Sequence, residues 1–170
     1  IFNSCTVTEN GDKKALHDAE SVRRKHSSAI IVLTGCYPQA FPDKATDFIA
    51  ADIIAGVADR TKIPVKIKAF LEERSRIIAL NANPACYEEA AVSAETDKTR
   101  AFVKIEDGCD RFCSYCIIPY VRGPVRCRPF NRIIEEGRAL AKNGFKEVVI
   151  TGIQTAAYNW EKYDLGDVVS

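Results

Sequence analysis

The chain has 170 residues, of which 46% are apolar and 28% charged, with a formal net charge of +1. That length holds one large domain or two small ones, and the composition is that of a globular protein with a core to bury. The near-zero charge selects neither a nucleic-acid partner nor a membrane surface, and no apolar run approaches the roughly 20 residues of a bilayer span; no membrane partner and a cytoplasmic location are expected.

In chain order, Phe2-Asn3-Ser4 reads as a strand end. Ala15, Leu16, Ala19 and Val22 recur at helical spacing, with Asp12 as the expected N-cap. Ile30-Ile31-Val32-Leu33 is a β-branched run suited to a buried parallel strand. Asp52 to Gly56 reads as a further strand ended by glycine, and Ile63 to Arg74 as a helix with Pro64 in its first turn. Ile77 to Leu80 has the composition of one more strand. Residues 1–95 are therefore expected to form an open parallel α/β sheet domain. Residues 81–99, which straddle its end, read as a linker or a crossing segment.

The pattern restarts at Arg100. Ala101 to Ile105 alternates as a strand ended by Asp107-Gly108, and Cys109 to Pro129 reads as one long structured loop. Ile133, Ile134, Leu140 and Ala141 share a helix face, with Asn143-Gly144 as the stop. Glu147 to Thr151 is a strand ending at Gly152. Strand, loop, helix, strand makes residues 96–170 the start of a parallel (βα) barrel. No Met occurs, and no capping signal is read near the C-terminus, so an internal fragment is expected.

Seven cysteines, an odd number, argue against a complete disulfide framework and leave thiols for metal. Cys109-x3-Cys113-x2-Cys116 follows a strand directly. Thiolates select iron–sulfur clusters, zinc or copper(I). Three thiols wrapping an iron–sulfur cluster leave one iron open for a small molecule, whereas a structural zinc wants a fourth ligand, for which Cys127 is within reach. Cys5 and Cys36 each follow an apolar segment; on neighbouring parallel strands they would emerge at one sheet edge, and the alternative is that each is a small buried residue. Cys86 matches no motif. Between Arg100 and Arg132, seven basic residues face three acidic ones, interleaved with Phe112, Tyr115 and Tyr120, the make-up of a nucleic-acid face. Arg126 and Arg128, leading into a helix N-terminus, are the candidates for substrate phosphate; the other reading is that such arginines brace the loop.

Val103 through Tyr120, with Arg122-Gly123-Pro124, resembles the radical S-adenosylmethionine enzymes, and more narrowly the methylthiotransferases. Phe2 to Glu9 and Thr34-Gly35-Cys36-Tyr37-Pro38-Gln39 are similar to the N-terminal domain of that family. The resemblance implies two four-iron clusters. Cys109, Cys113 and Cys116 would hold the one that binds S-adenosylmethionine and cleaves it reductively to a 5′-deoxyadenosyl radical. Cys5 and Cys36 would hold an auxiliary cluster for sulfur insertion, its third cysteine expected upstream. It also implies that Tyr115 lies beside the cofactor's adenine and that Gly152 and Gln154, at a barrel-strand end, contact the cofactor, although Gly152-Ile153-Gln154-Thr155 departs from the Gly-Gln-Asn pattern of one branch. Residues 96–170 become the truncated beginning of a radical S-adenosylmethionine domain. The implied substrate is threonylcarbamoyladenosine beside a tRNA anticodon, with an electron donor and a sulfur source as further partners. A ribosomal-protein methylthiotransferase and a non-catalytic zinc-stabilised binding module are the alternatives.

Overall fold

The computed structural model describes residues 1–6, 8–58, 60–80, 86–89 and 99–170. The chain divides into two compact units, residues 1–84 with 112–122, and residues 85–111 with 123–170. Most of the expected linker 81–99 lies outside the described residues.

In the first unit, β1 (Phe2–Ser4), β2 (Val32–Gly35), β3 (Ile53–Ala55) and β4 (Ile77–Ala79) pair in that order, all parallel. The helix α1 (Glu9–Lys25) joins β1 to β2, α2 (Cys36–Ala40) and α3 (Pro42–Thr46) join β2 to β3, and α4 (Ile63–Glu73) joins β3 to β4. This is the expected open α/β sheet. Successive strand residues point to opposite faces. Leu33 and Ile54 pack with Ala19 of α1 on one face, and Val32 and Ile53 with Ile63 of α4 on the other. Burial on both faces is why these strands read as unbroken apolar runs rather than alternating ones.

Three details differ from expectation. The N-cap of α1 is Thr8, not Asp12: Thr8 has extended backbone and its hydroxyl accepts from Gly11 N at 3.2 Å. Asp12 lies inside the helix, buried, and accepts from Thr6 Oγ1 at 3.1 Å. The strand read at Ile30–Leu33 pairs two residues later, because the Asp52 carboxylate takes Ile31 N at 2.7 Å. The two short helices α2 and α3 carry too few turns to leave a periodicity. Arginines fasten the loops: Arg23 binds Asp52 at 2.6 Å and the carbonyls of Ser27, Ala29 and Ala50, and Arg76 binds those of Thr46, Phe48 and Ala51.

In the second unit, β5 (Arg100–Lys104) lies parallel to β8 (Glu147–Thr151), with α6 (Phe130–Lys142) between them in the chain. Ala101, Val103 and Ile105 pack against Ile133 and Leu140 of α6 and against Tyr158. Asn143 caps α6 and Gly144 follows with φ +89°, the stop that was expected. Asp107-Gly108 does not simply end β5: β6 (Glu106–Asp107) pairs antiparallel with β7 (Arg126–Cys127). The expected loop 109–129 thus contains β7, and also α5 (Ile118–Arg122), which belongs to the first unit. Beyond β8, β9 (Asn159–Trp160) and β10 (Tyr163–Asp164) form a hairpin leading into α7 (Leu165–Val169). The capping signal that was not read there exists: Asp164 accepts from Gly166 N and Asp167 N, and Asp167 accepts from Asp164 N. Among the described residues no helix is long and apolar enough to cross a membrane.

Candidate functional site

Parallel pairing sets Ser4 opposite Gly35, so Cys5 and Cys36 follow neighbouring strands at the carboxyl edge of the sheet. Open α/β sheets bind ligands at this edge. The strand ends approach closely: Gly35 has φ +101°, and a Cβ there would run into the Ser4 carbonyl oxygen. Ser4 Oγ donates to Thr34 O at 2.8 Å and accepts from Tyr37 N at 3.1 Å, tying β1 to the start of α2. Gly11 lets α1 pack on the same edge, since a Cβ there would lie 2.8 Å from the Cys5 carbonyl oxygen. The Cys5 thiol side is exposed, whereas Cys36 is buried against Ala40, Val57, Ile117 and Val121.

A cavity of about 520 Å³ opens within the first unit, lined among others by Thr6, Asp12, Tyr37, Phe41, Tyr115 and Cys116. Burial pushes the Asp12 carboxyl above its ordinary pKa, opposed by the hydrogen bond from Thr6. Tyr115 and Cys116 were singled out by sequence. Thr6 and Asp12 were not read as site residues, although one is next to Cys5 and the other, expected only as a helix cap, sits in the first turns of α1.

The cysteine triplet lies on the segment leaving β6. Gly108 has φ +93°, and a Cβ there would strike the Pro124 carbonyl; Cys109 N donates to Gly123 O at 3.0 Å. Cys116 N donates to Cys113 O at 2.9 Å, making a tight turn. Just before Cys113, Phe112 holds φ +46°, a conformation that costs a bulky residue energy. Its ring meets Tyr120 edge-on at 5.5 Å, while Tyr115 is 90% exposed. Cys109 and Cys116 are half-buried and Cys113 exposed, all three as free thiols. Among the described residues no three Cys, His, Asp or Glu side chains are gathered closely enough to hold a metal ion. The donor set itself, three reduced thiols within eight residues of an accessible loop, suits an iron–sulfur cluster. Cys127, the fourth thiol of a zinc site, is engaged elsewhere in the second unit: its sulfur accepts from Asn159 N at 3.2 Å.

At the carboxyl ends of β5 and β8 the second unit buries a carboxylate. Glu106 is 0% exposed, and its Oε1 accepts from Gln154 N at 2.6 Å. Burial raises its pKa above the ordinary 4.5, against the lowering effect of the Gln154 and Ile153 amides. Gly152 stands where the carboxylate packs, and any Cβ there would overlap Glu106. The Gln154 side chain faces Cys109, whose Sγ lies 3.1 Å from Gln154 Oε1. Sequence reasoning pointed to Gly152, Gln154 and Cys109 but not to Glu106, which was counted only as one of the three acidic residues between Arg100 and Arg132.

Arg126 and Arg128 are both buried. Arg126 donates to Pro124 O at 2.8 Å and lies 3.9 Å from Asp107, which also binds Lys104 at 2.7 Å. Arg128 binds Glu89 through Nε and Nη2 and Glu136 through Nη1. The two guanidinium groups thus brace β6, β7 and α6 from within.

Residues 1–56 match the family described as Uncharacterized protein family UPF0004. The chain is 39% identical over 166 residues to Threonylcarbamoyladenosine tRNA methylthiotransferase MtaB of Bacillus subtilis, an alignment covering 96% of this chain and 37% of that protein. It is 37% identical over 165 residues to tRNA-2-methylthio-N(6)-dimethylallyladenosine synthase of Clostridium novyi, covering 93% and 36%. With Ribosomal protein uS12 methylthiotransferase RimO of Clostridium perfringens it shares 32% over 168 residues, covering 96% and 38%. The chain therefore spans less than two fifths of the length of these curated relatives.

Proposed function

We propose, from its homology to the MtaB- and RimO-type methylthiotransferases, that this chain is part of an enzyme adding a methylthio group to threonylcarbamoyladenosine in tRNA by radical S-adenosylmethionine chemistry. The observation that carries the reading is that the alignment runs through both cysteine-bearing regions, one of which sets Cys5 and Cys36 on adjacent strand ends. Cys109, Cys113 and Cys116 would hold a four-iron cluster, and Cys5 and Cys36 would supply two ligands of a second. When bound, the clusters and S-adenosylmethionine supply electron transfer, radical formation and sulfur.

The chain's own residues bind and orient. Gly35 and Ser4 fix the strand ends from which the two N-terminal thiols emerge. Gly108 and Gly123 fix the start of the triplet loop. Gln154 and Gly152, at strand ends of the second unit, and the exposed ring of Tyr115 are the contacts proposed for the cofactor. Substrate tRNA, an electron donor and a sulfur source are the partners. Arg126 and Arg128 act by holding the loop's return strand against β6 rather than by free side chains. The relatives' names divide among two tRNA nucleosides and one ribosomal protein, so uS12 modification is the second reading.

The test is anaerobic reconstitution with iron and sulfide, followed by electron paramagnetic resonance of the reduced protein with and without S-adenosylmethionine. A four-iron signal that changes with the cofactor and is lost in Cys113→Ala is expected. A colourless protein that binds zinc and loses it in Cys127→Ser would overturn the reading in favour of a zinc-stabilised module. Mass spectrometry of tRNA nucleosides and of uS12, from cells with and without the full-length protein, separates the substrates.

A further inference from the structure

A carboxylate with no exposure is expensive to keep in a protein interior unless its oxygens are matched. Glu106 is only half matched. Oε1 is taken by Gln154 N, while Oε2, buried, has no hydrogen-bond partner among the described residues. Lys104, whose charge favours the ionised form of Glu106, makes its 2.7 Å ion pair with Asp107. A residue of similar shape without charge would fill the space behind Gly152 at lower cost. What the charge supplies is a strong acceptor aimed at the backbone amides of the Ile153–Gln154 turn, and the 2.6 Å bond goes to the residue whose side chain meets Cys109.

We propose that Glu106 is a positioning residue: its buried carboxylate clamps the Gly152–Gln154 turn and so holds the Gln154 side-chain amide against the Cys109 sulfur. The inference rests on the reading of Cys109 as a cluster ligand. A primary amide suits this place because it presents its oxygen to a thiol and, after a half-turn, its NH2 to a thiolate. Hydrogen bonds to the sulfurs are among the determinants of an iron–sulfur cluster's potential. Gly152 is part of the clamp, because only a residue without Cβ leaves room for the carboxylate.

Two measurements test this, on wild type, Glu106→Leu, Glu106→Gln and Gln154→Leu. The first is hydrogen exchange at the Gln154 backbone amide in the cluster-free chain. Glu106→Leu should speed exchange about fivefold or more, the worth of one ordinary hydrogen bond, and Glu106→Gln, which keeps an acceptor oxygen, should largely restore protection. The second is the reduction midpoint and paramagnetic resonance line shape of the reconstituted cluster. Gln154→Leu and Glu106→Leu should shift both in the same direction, with Glu106→Gln close to wild type, which a residue needed only for folding would not do. Unchanged Gln154 exchange in Glu106→Leu, or identical midpoints in all four proteins, overturns the clamp. Wild type that forms no cluster sinks the methylthiotransferase reading instead, and the exchange result still decides whether the clamp exists.

Discussion

At the residue scale, the glycines at the two sites are tied to different neighbours. Gly35 meets the backbone of β1 at positive φ, so neither its conformation nor its space admits a side chain. Gly35→Ala should lower stability by about 2 kcal/mol or more, read as a shift of the urea midpoint at unchanged slope. Glu106 gives a pH signature of opposite sign to that of an ion-paired carboxylate. Its folded pKa is raised by burial, so the neutral form suits the fold; its contribution is fully present below about pH 4.5 and is lost as pH rises through the folded value. Glu106→Gln should therefore match wild type at pH 4 and exceed it in stability at pH 7, by denaturant unfolding at both. A larger wild-type stability at pH 7 would contradict the assignment of desolvation as the leading cause. The role of Glu106 was illegible in sequence, and for Arg126 and Arg128 the sequence left substrate contact and loop bracing both open, for one reason: a charge at a strand end reads as solvated until the neighbouring chain is known to cover it. Arg128 illustrates this, since one of its carboxylate partners, Glu89, is 39 positions away.

At the element scale, the legible parts were those with enough turns or enough β-branched residues to show a period. α4 was expected nearly to the residue and α6 at its C-terminal stop, and all four strands of the first sheet carry Ile, Val or Phe. α2, α3 and α5 have five residues each, and β6 and β7 two, too few to display any period. The start of α1 was misplaced because Thr8 and Asp12 are both acceptable caps by type, and only the extended backbone of Thr8 decides between them. Thr8→Ala should cost about 1 kcal/mol by thermal or urea unfolding, while Asp12→Asn, which removes a buried charge but keeps an acceptor for Thr6, should cost less. Arg23 joins α1 to the entrances of β2 and β3 through Asp52 and three carbonyls. Arg23→Met should lose roughly 2 kcal/mol, with faster hydrogen exchange at Ile31, whose amide shares the Asp52 carboxylate.

At the scale of the whole molecule, the two units differ in how well they cover themselves. The first closes both faces of a four-stranded sheet. In the second, β5 and β8 pair only with each other among the described residues, and Phe102 is 59% exposed. Unpaired edges beside exposed apolar side chains template association. The chain by itself should self-associate, and Phe102→Lys should increase its monomer fraction in light scattering; a chain already monomeric at high concentration would count against this.

The hydrogen bond between Cys109 and Gly123 has a consequence for how this protein can vary. It brings together the two ends of the segment carrying the triplet, so the strands on either side are joined across a short gap whatever lies between. Lengthening a flexible loop that is already closed is cheap, about 0.6 kcal/mol for each doubling. Insertions beside Asp110 and Arg111, ahead of the turn at Cys113, would thus cost the scaffold little, whereas insertions in α5 would displace Val121 from its packing against Cys36; on the proposed reading, the interval between one cysteine and the next would follow from the cluster.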